Sequence, residues 1–218
     1  MSNIVNVGVD MRPKLVRNIF GLPTENRETI KIPALDSAVL FLGSFVSLRE
    51  FGVRAFNDDD IIYGFVKNIT RKGQLLPIWN DSKMAGAVTA ASGYVPAYYT
   101  FSATNDESNT TSAKLEMVEI VPVFFGDILS MVLWGASTSP VARATTTAWG
   151  TTASSRNIGA YMSVDTTYTF ALTESTASAT ETNLDFRTVS IDGQLPESKY
   201  RVYAQCVRSA NSYLVAAA

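Results

Sequence analysis

One pattern limits the folds open to this chain more than any other: a glycine-led apolar strand that occurs twice. Gly43-Ser44-Phe45-Val46-Ser47-Leu48 is echoed by Gly126-Asp127-Ile128-Leu129-Ser130-Met131. Each copy is followed by an aromatic, glycine-centred strand, Ile61-Ile62-Tyr63-Gly64-Phe65-Val66 in the first and Asn157-Ile158-Gly159-Ala160-Tyr161-Met162 in the second. A further apolar strand precedes each at similar distance, Ile30 lying thirteen positions before Gly43 and Leu115 eleven before Gly126. Order and spacing together read as an internal repeat of a β module.

The rest of the chain agrees with that reading. Ile30 and Ile32 alternate with Thr29 and Lys31 ahead of Pro33, the period of a half-buried strand. Ala38 to Leu42 and Phe45 to Leu48 are near-continuous apolar runs, as in strands covered on both faces. Asn57 to Asp60 and Arg71-Lys72-Gly73 supply turns, and Gly64 inside a strand marks a bulge or a close backbone approach. The two stretches with any helical character, Met84 to Ser92 and Thr176 to Thr182, are short and lack an apolar stripe of helical period. The expected fold is all-β, two small β-barrel or sandwich lobes with an extended N-terminal arm. The arm takes residues 1–28, the first lobe 29–80, a connecting segment with one strand 81–112, and the second lobe 113–218, enlarged by a Thr/Ser-rich insertion from Gly135 to Arg156.

Composition then restricts the chemistry. The 218 residues are 46% apolar and 17% charged, ample for real cores, with a net charge of −2 and no basic tract to neutralise phosphates. Nucleic acid is therefore disfavoured as a partner. Histidine is absent and cysteine occurs once, which removes the commonest general base, the usual zinc ligands and any disulfide within the chain. Cys206 reads as a small buried strand residue. No phosphate-cradling Gly-x-x-x-x-Gly-Lys and no Gly-x-Ser-x-Gly elbow occurs. Asp58-Asp59-Asp60 lacks the spacing of a calcium loop and reads as a solvated turn. No catalytic, cofactor or metal site is expected, and so no enzyme. The amino terminus lacks the basic-then-apolar pattern of a signal peptide. The apolar runs fall far short of the ~20 residues that span a bilayer. The expectation is a soluble protein made in a cytoplasm, without membrane contact.

The arm carries more apolar side chains than water accommodates comfortably, Ile4, Val7, Leu15, Ile19 and Phe20 among them, while Pro13 and Pro23 block a continuous helix. These five residues, with Trp149 in its Thr-rich loop, are the candidate partner-binding positions. The arm is expected to order only against a neighbouring subunit.

The glycine-led strand Gly43 to Leu48, the aspartate-rich turn Asp58 to Asp60, the strand Ile62-Tyr63-Gly64-Phe65-Val66 and Gly73 ahead of another strand together resemble the small β-barrel decoration, or cement, proteins of tailed-bacteriophage capsids. The likeness covers residues 29–80 and, more loosely, 113–172. The first copy departs in carrying Ser44 where the second has Asp127. The resemblance implies a non-enzymatic virion structural protein, synthesised in the host cytoplasm, that binds the outer surface of an assembled capsid and stabilises it. It further implies the major capsid protein as partner and a homo-oligomer, a trimer being one form. The reading left open beside it is a carbohydrate-binding or adhesion module, with the Trp149 loop and Tyr94 to Tyr99 as its platform.

Overall fold

The computed structural model describes residues 12–25, 27–35, 39–50, 52–57, 60–71, 74–75, 98–100, 117–134, 159, 161–166, 169–174, 185–195 and 199–211. Among the described residues every regular element is a strand: β1 (Lys14–Asn18), β2 (Ile30–Pro33), β3 (Val39–Phe41), β4 (Phe45–Arg49), β5 (Gly52–Ala55), β6 (Gly64–Arg71), β7 (Gln74–Leu75), β8 (Tyr98–Thr100), β9 (Met117–Pro122), β10 (Asp127–Trp134), β11 (Tyr161–Val164), β12 (Leu172–Glu174), β13 (Phe186–Leu195) and β14 (Lys199–Cys206). The all-β expectation holds, in a sandwich-like arrangement.

The first sheet runs β2-β9-β6-β4-β5, with β7 folded back on β6. In the second, β10 pairs antiparallel with β1 and β14, and the path continues through β13 and β11 to β12. A two-residue parallel contact then returns from β12 to β10, Leu133 opposite Leu172 and Trp134 opposite Thr173. β3 and β8 form a separate two-stranded ribbon.

Successive side chains of a strand point to opposite faces, and here both faces of the first sheet are covered. Phe45, Phe65 and Val121 pack into a core shared with Leu129, Met131, Met162, Phe186 and Val202 of the second sheet. Their neighbours Val46, Val66 and Ile120 enter another core, closed by Leu40 and Leu42. The sheet lies between two apolar layers, which is why β4, with Phe45 in one and Val46 in the other, begins as an apolar run. Phe45 anchors the shared core, edge-on to Phe65 at 6.0 Å and to Phe186 at 5.3 Å.

The two glycine-led strands begin with the same turn. Ser44 N–H donates to Phe41 O at 3.0 Å and Asp127 N–H to Phe124 O at 3.0 Å, with Gly43 (φ 92°) and Gly126 (φ 84°) at the third position. That left-handed conformation is open to glycine at little cost. The side chain at the fourth position closes each turn from the other direction: Phe41 N–H donates to Ser44 Oγ at 2.8 Å and Phe124 N–H to Asp127 Oδ2 at 2.7 Å. Each glycine N–H also reaches across to a neighbouring strand, Gly43 to Val66 O at 2.7 Å and Gly126 to Cys206 O at 2.9 Å.

Beyond the turn the copies diverge. β6 pairs with β4, whereas the glycine-centred strand of the second copy, β11, pairs with β12 and β13. The neighbour of β10 that matches β6 is β14. Gly64 marks the close approach expected of it, since a Cβ there would lie 2.4 Å from Val121 O.

The arm and the lobes are more interwoven than the sequence suggests. β9, from the segment read as the second lobe, lies between β2 and β6. The described part of the arm docks without a neighbouring subunit: β1 pairs with β10 of its own chain, Lys14 opposite Ser130 and Asn18 opposite Asp127; residues 1–11 lie outside the described residues. Backbone pairing across that edge, together with the polar contacts described next, docks the segment while leaving Val16, Ile19, Phe20 and Leu22 exposed.

Candidate interaction surface on the N-terminal hairpin

Residues 14–25 and 27–28, the described part of the hairpin of residues 14–28, run out along β1 and turn at Asn18 to Gly21. Gly21 N–H donates to Asn18 O at 3.1 Å, while Phe20 N–H donates to Asn18 Oδ1 at 2.8 Å, the local bond that makes asparagine a turn former. The chain then doubles back, and Thr24 Oγ1 donates to Val16 O at 3.4 Å.

Asp127 fastens this hairpin down. Its side chain is fully buried, and four hydrogen bonds fill its carboxylate: one from Asn18 Nδ2 at 2.7 Å, one from Phe124 N–H at 2.7 Å, and two from Arg27, whose Nη2 lies 2.9 Å from Oδ1 and whose Nη1 meets Oδ2. A bidentate arginine is the strongest partner a carboxylate finds. Arg27 spends its remaining donors on Pro122 O at 3.0 Å and Pro23 O at 3.0 and 3.1 Å, and its guanidinium lies over the Phe124 ring, 4.8 Å from the centroid. Ile19 N–H donates to Gly126 O at 3.0 Å. At the other end, buried Arg201 holds Arg12 O at 2.8 Å.

The fastened hairpin presents apolar side chains to solvent. Among the described residues, the large apolar side chains that are exposed are Val16, Ile19, Phe20, Leu22, Ile30, Val39, Leu48 and Ile61; five of the eight fall within residues 16–30. Phe20 is 58% exposed although its ring stacks on Phe125 at 5.8 Å. The register of β1 slips by one residue between Leu15 and Arg17. This bulge turns Val16 outward, and exposed Lys14 and Arg17 flank it.

Of the residues singled out from sequence, Ile19 and Phe20 are exposed on this hairpin, and Leu15 is half-buried against the shared core. Ile4, Val7 and Trp149 lie outside the described residues, as do Tyr94 to Ala97 of the glycan platform. Asn18, Leu22, Arg27 and Asp127 were not singled out. The position of Asp127 opposite Ser44 in the repeat was the available signal; nothing local marks Arg27.

Asp60 departs from the solvated turn expected of it. It is 5% exposed and accepts bonds from Ser47 Oγ at 2.7 Å, from Arg54 Nε and Nη2 at 3.2 and 3.0 Å, and from Arg49 Nη2. Burial pushes its carboxyl up, but the hydrogen bonds from Arg54 and Ser47 and the charges of Arg54 and Arg49 outweigh burial and hold it below the ordinary carboxylate value. Arg208 links this hub to buried Asp185, donating to Asp60 O at 2.7 Å and to Asp185 Oδ1 at 3.0 Å. Asp58 and Asp59 lie outside the described residues, among which no group of three or more potential metal ligands occurs. Cys206 is buried in β14, and burial pushes its thiol well above the ordinary value.

No family model matches the chain. No curated protein matches it either. Among solved structures, the chain aligns with the C-terminal fragment of gene product 12 of bacteriophage phi29. Identity is 12% and the TM-score 0.33, over 83% of this chain and 99% of that fragment.

Proposed function

We propose that this chain is a non-enzymatic virion structural protein that binds the outer surface of an assembled phage capsid and stabilises it. The observation that carries the reading is the hairpin of residues 14–28. A cluster of exposed apolar side chains held rigid by a buried ion pair suits contact with another protein, because exposed apolar patches mark interaction sites and preorganised anchors lose little entropy on binding. The reading is also supported by the sequence resemblance, and by a composition without histidine and with one, buried, cysteine. The partner in this reading is the major capsid protein, and the location the capsid surface.

The test is to add purified protein to capsids stripped of it and to measure bound copies and capsid lifetime on heating. Saturable binding at a fixed number of copies per capsid, with slower heat disruption, is expected. Absence of saturable binding overturns the proposal.

A further inference from the structure

We propose that the apolar hairpin of residues 14–28 docks against the same hairpin of a second copy of this chain, related by a twofold axis. The inference deepens the reading of the chain as an assembly protein, and rests on it: the hairpin joins copies of this chain to one another, while other surfaces of the chain meet the major capsid protein.

The backbone edge of β1 is unsuited to receiving a further strand. The bulge at Val16 breaks its register, Lys14 and Arg17 stand beside it, and Thr24 Oγ1 already occupies Val16 O. Bulges and charged residues are the devices that block edge-to-edge pairing. A partner must therefore pack on side chains, and the apolar ones on offer are Val16, Ile19, Phe20 and Leu22, each between 43% and 58% exposed.

Charge selects the partner. The outgoing limb of the hairpin is basic, with Arg17 exposed, and the returning limb is acidic, with Glu25 and Glu28 exposed. In a twofold contact residue i of one copy meets residue j of the other, and the reverse. A patch whose two limbs carry opposite signs is complementary to its own rotated copy: the basic limb of each subunit lies along the acidic limb of the other, with the apolar side chains between. A net charge of −2 imposes little long-range repulsion on that approach.

The test uses the full chain in sedimentation equilibrium over a range of concentrations. Self-association is expected, weakened about tenfold or more by Phe20→Ala. Leu48→Ala, at an exposed apolar side chain outside the hairpin, leaves it unchanged. Arg17→Glu and Glu25→Arg each weaken it, and a mixture of the two single variants associates more tightly than either alone, since one of its two charged contacts is then complementary in the new sense. Far-ultraviolet circular dichroism and melting curves establish that the variants are folded, which the exposure of these side chains favours. A chain that stays monomeric, or an association indifferent to Phe20→Ala, overturns the proposal. A monomer that still saturates stripped capsids overturns it and leaves the proposed function standing; a hairpin-mediated dimer with no affinity for capsids does the reverse.

Discussion

Ser44 and Asp127 hold the same place in the same turn, yet only Asp127 also holds Arg27 and Asn18. Exchange separates the two tasks. Asp127→Ser keeps a side-chain oxygen for Phe124 N–H while leaving the nearly buried guanidinium of Arg27 without its counter-charge. Breaking such a pair costs about 3 kcal/mol or more. Urea unfolding is expected to show that loss, with limited proteolysis cutting first within residues 19–27. The glycines of the two turns differ in what surrounds them. A Cβ at Gly43 would lie 2.7 Å from Pro13 Cδ and 3.1 Å from the Arg12 backbone, whereas at Gly126 it would meet Ile19 Cγ1 and Phe20 Cε2 at 2.7 Å. Both substitutions to alanine bear the positive-φ penalty of about 1–2 kcal/mol. The exposed ends of Ile19 and Phe20 can move aside, while a proline ring and backbone cannot. Gly43→Ala is expected to be the more destabilising by thermal melting, and Gly126→Ala chiefly to displace the hairpin.

At the scale of the element, β1 is held by its own chain, so its protection does not depend on a partner. In dilute solution, amide exchange at Ile19, bonded to Gly126 O, and at Gly21, bonded to Asn18 O, is expected to be slower than in a model peptide by at least tenfold. Exchange at random-coil rates would show that the hairpin docks only in an assembly. Strands were the legible elements: β2 lies where a period-two pattern ran up to Pro33, and β4 where the apolar run Phe45 to Leu48 was read. The docking of β1 was not legible, because the residues that fix it, Asn18, Arg27 and Asp127, are polar and separated by up to 109 positions. Burial of polar groups is set by what lies opposite them, and a local pattern carries no record of it. The repeat was readable at the glycine turns and misleading at Gly159, since glycine followed by apolar residues fixes a turn and not a pairing partner.

For the whole molecule, one core joins what the sequence presents as two lobes. Phe45 and Phe65 pack with residues of β10 to β14, and β9 completes the first sheet. Unfolding is therefore expected as one cooperative transition, with calorimetric and van't Hoff enthalpies equal; two resolved transitions would contradict it. Acid is expected to weaken this unit. Asp60 is held below the ordinary carboxylate value as described. So is Glu119, chiefly through the hydrogen bond from Thr29, with help from Asn68 and the charges of Lys67 and Lys31. Groups with depressed folded values confer stability above the ordinary carboxylate range, near pH 4, and that contribution is lost as pH falls through the folded values. The melting temperature of the parent protein is expected to fall steeply below about pH 4. Asp60→Asn begins lower and falls less steeply, and parallel curves would remove Asp60 from the acid response.

The pairing of β1 with β10 also sets a schedule for synthesis. Lys14 meets Ser130, a residue made 116 positions later, and at roughly 5–20 residues per second the wait is about 6–23 s. Throughout that interval the segment destined to become β1 has no strand partner, and once it emerges from the ribosome its apolar side chains are open to chaperones and to neighbouring nascent chains. Because Val16, Ile19 and Phe20 stay exposed in the finished fold, polar substitutions there are expected to act on the yield of folded protein during synthesis more than on its melting temperature, which expression yield and thermal melting compared side by side would show.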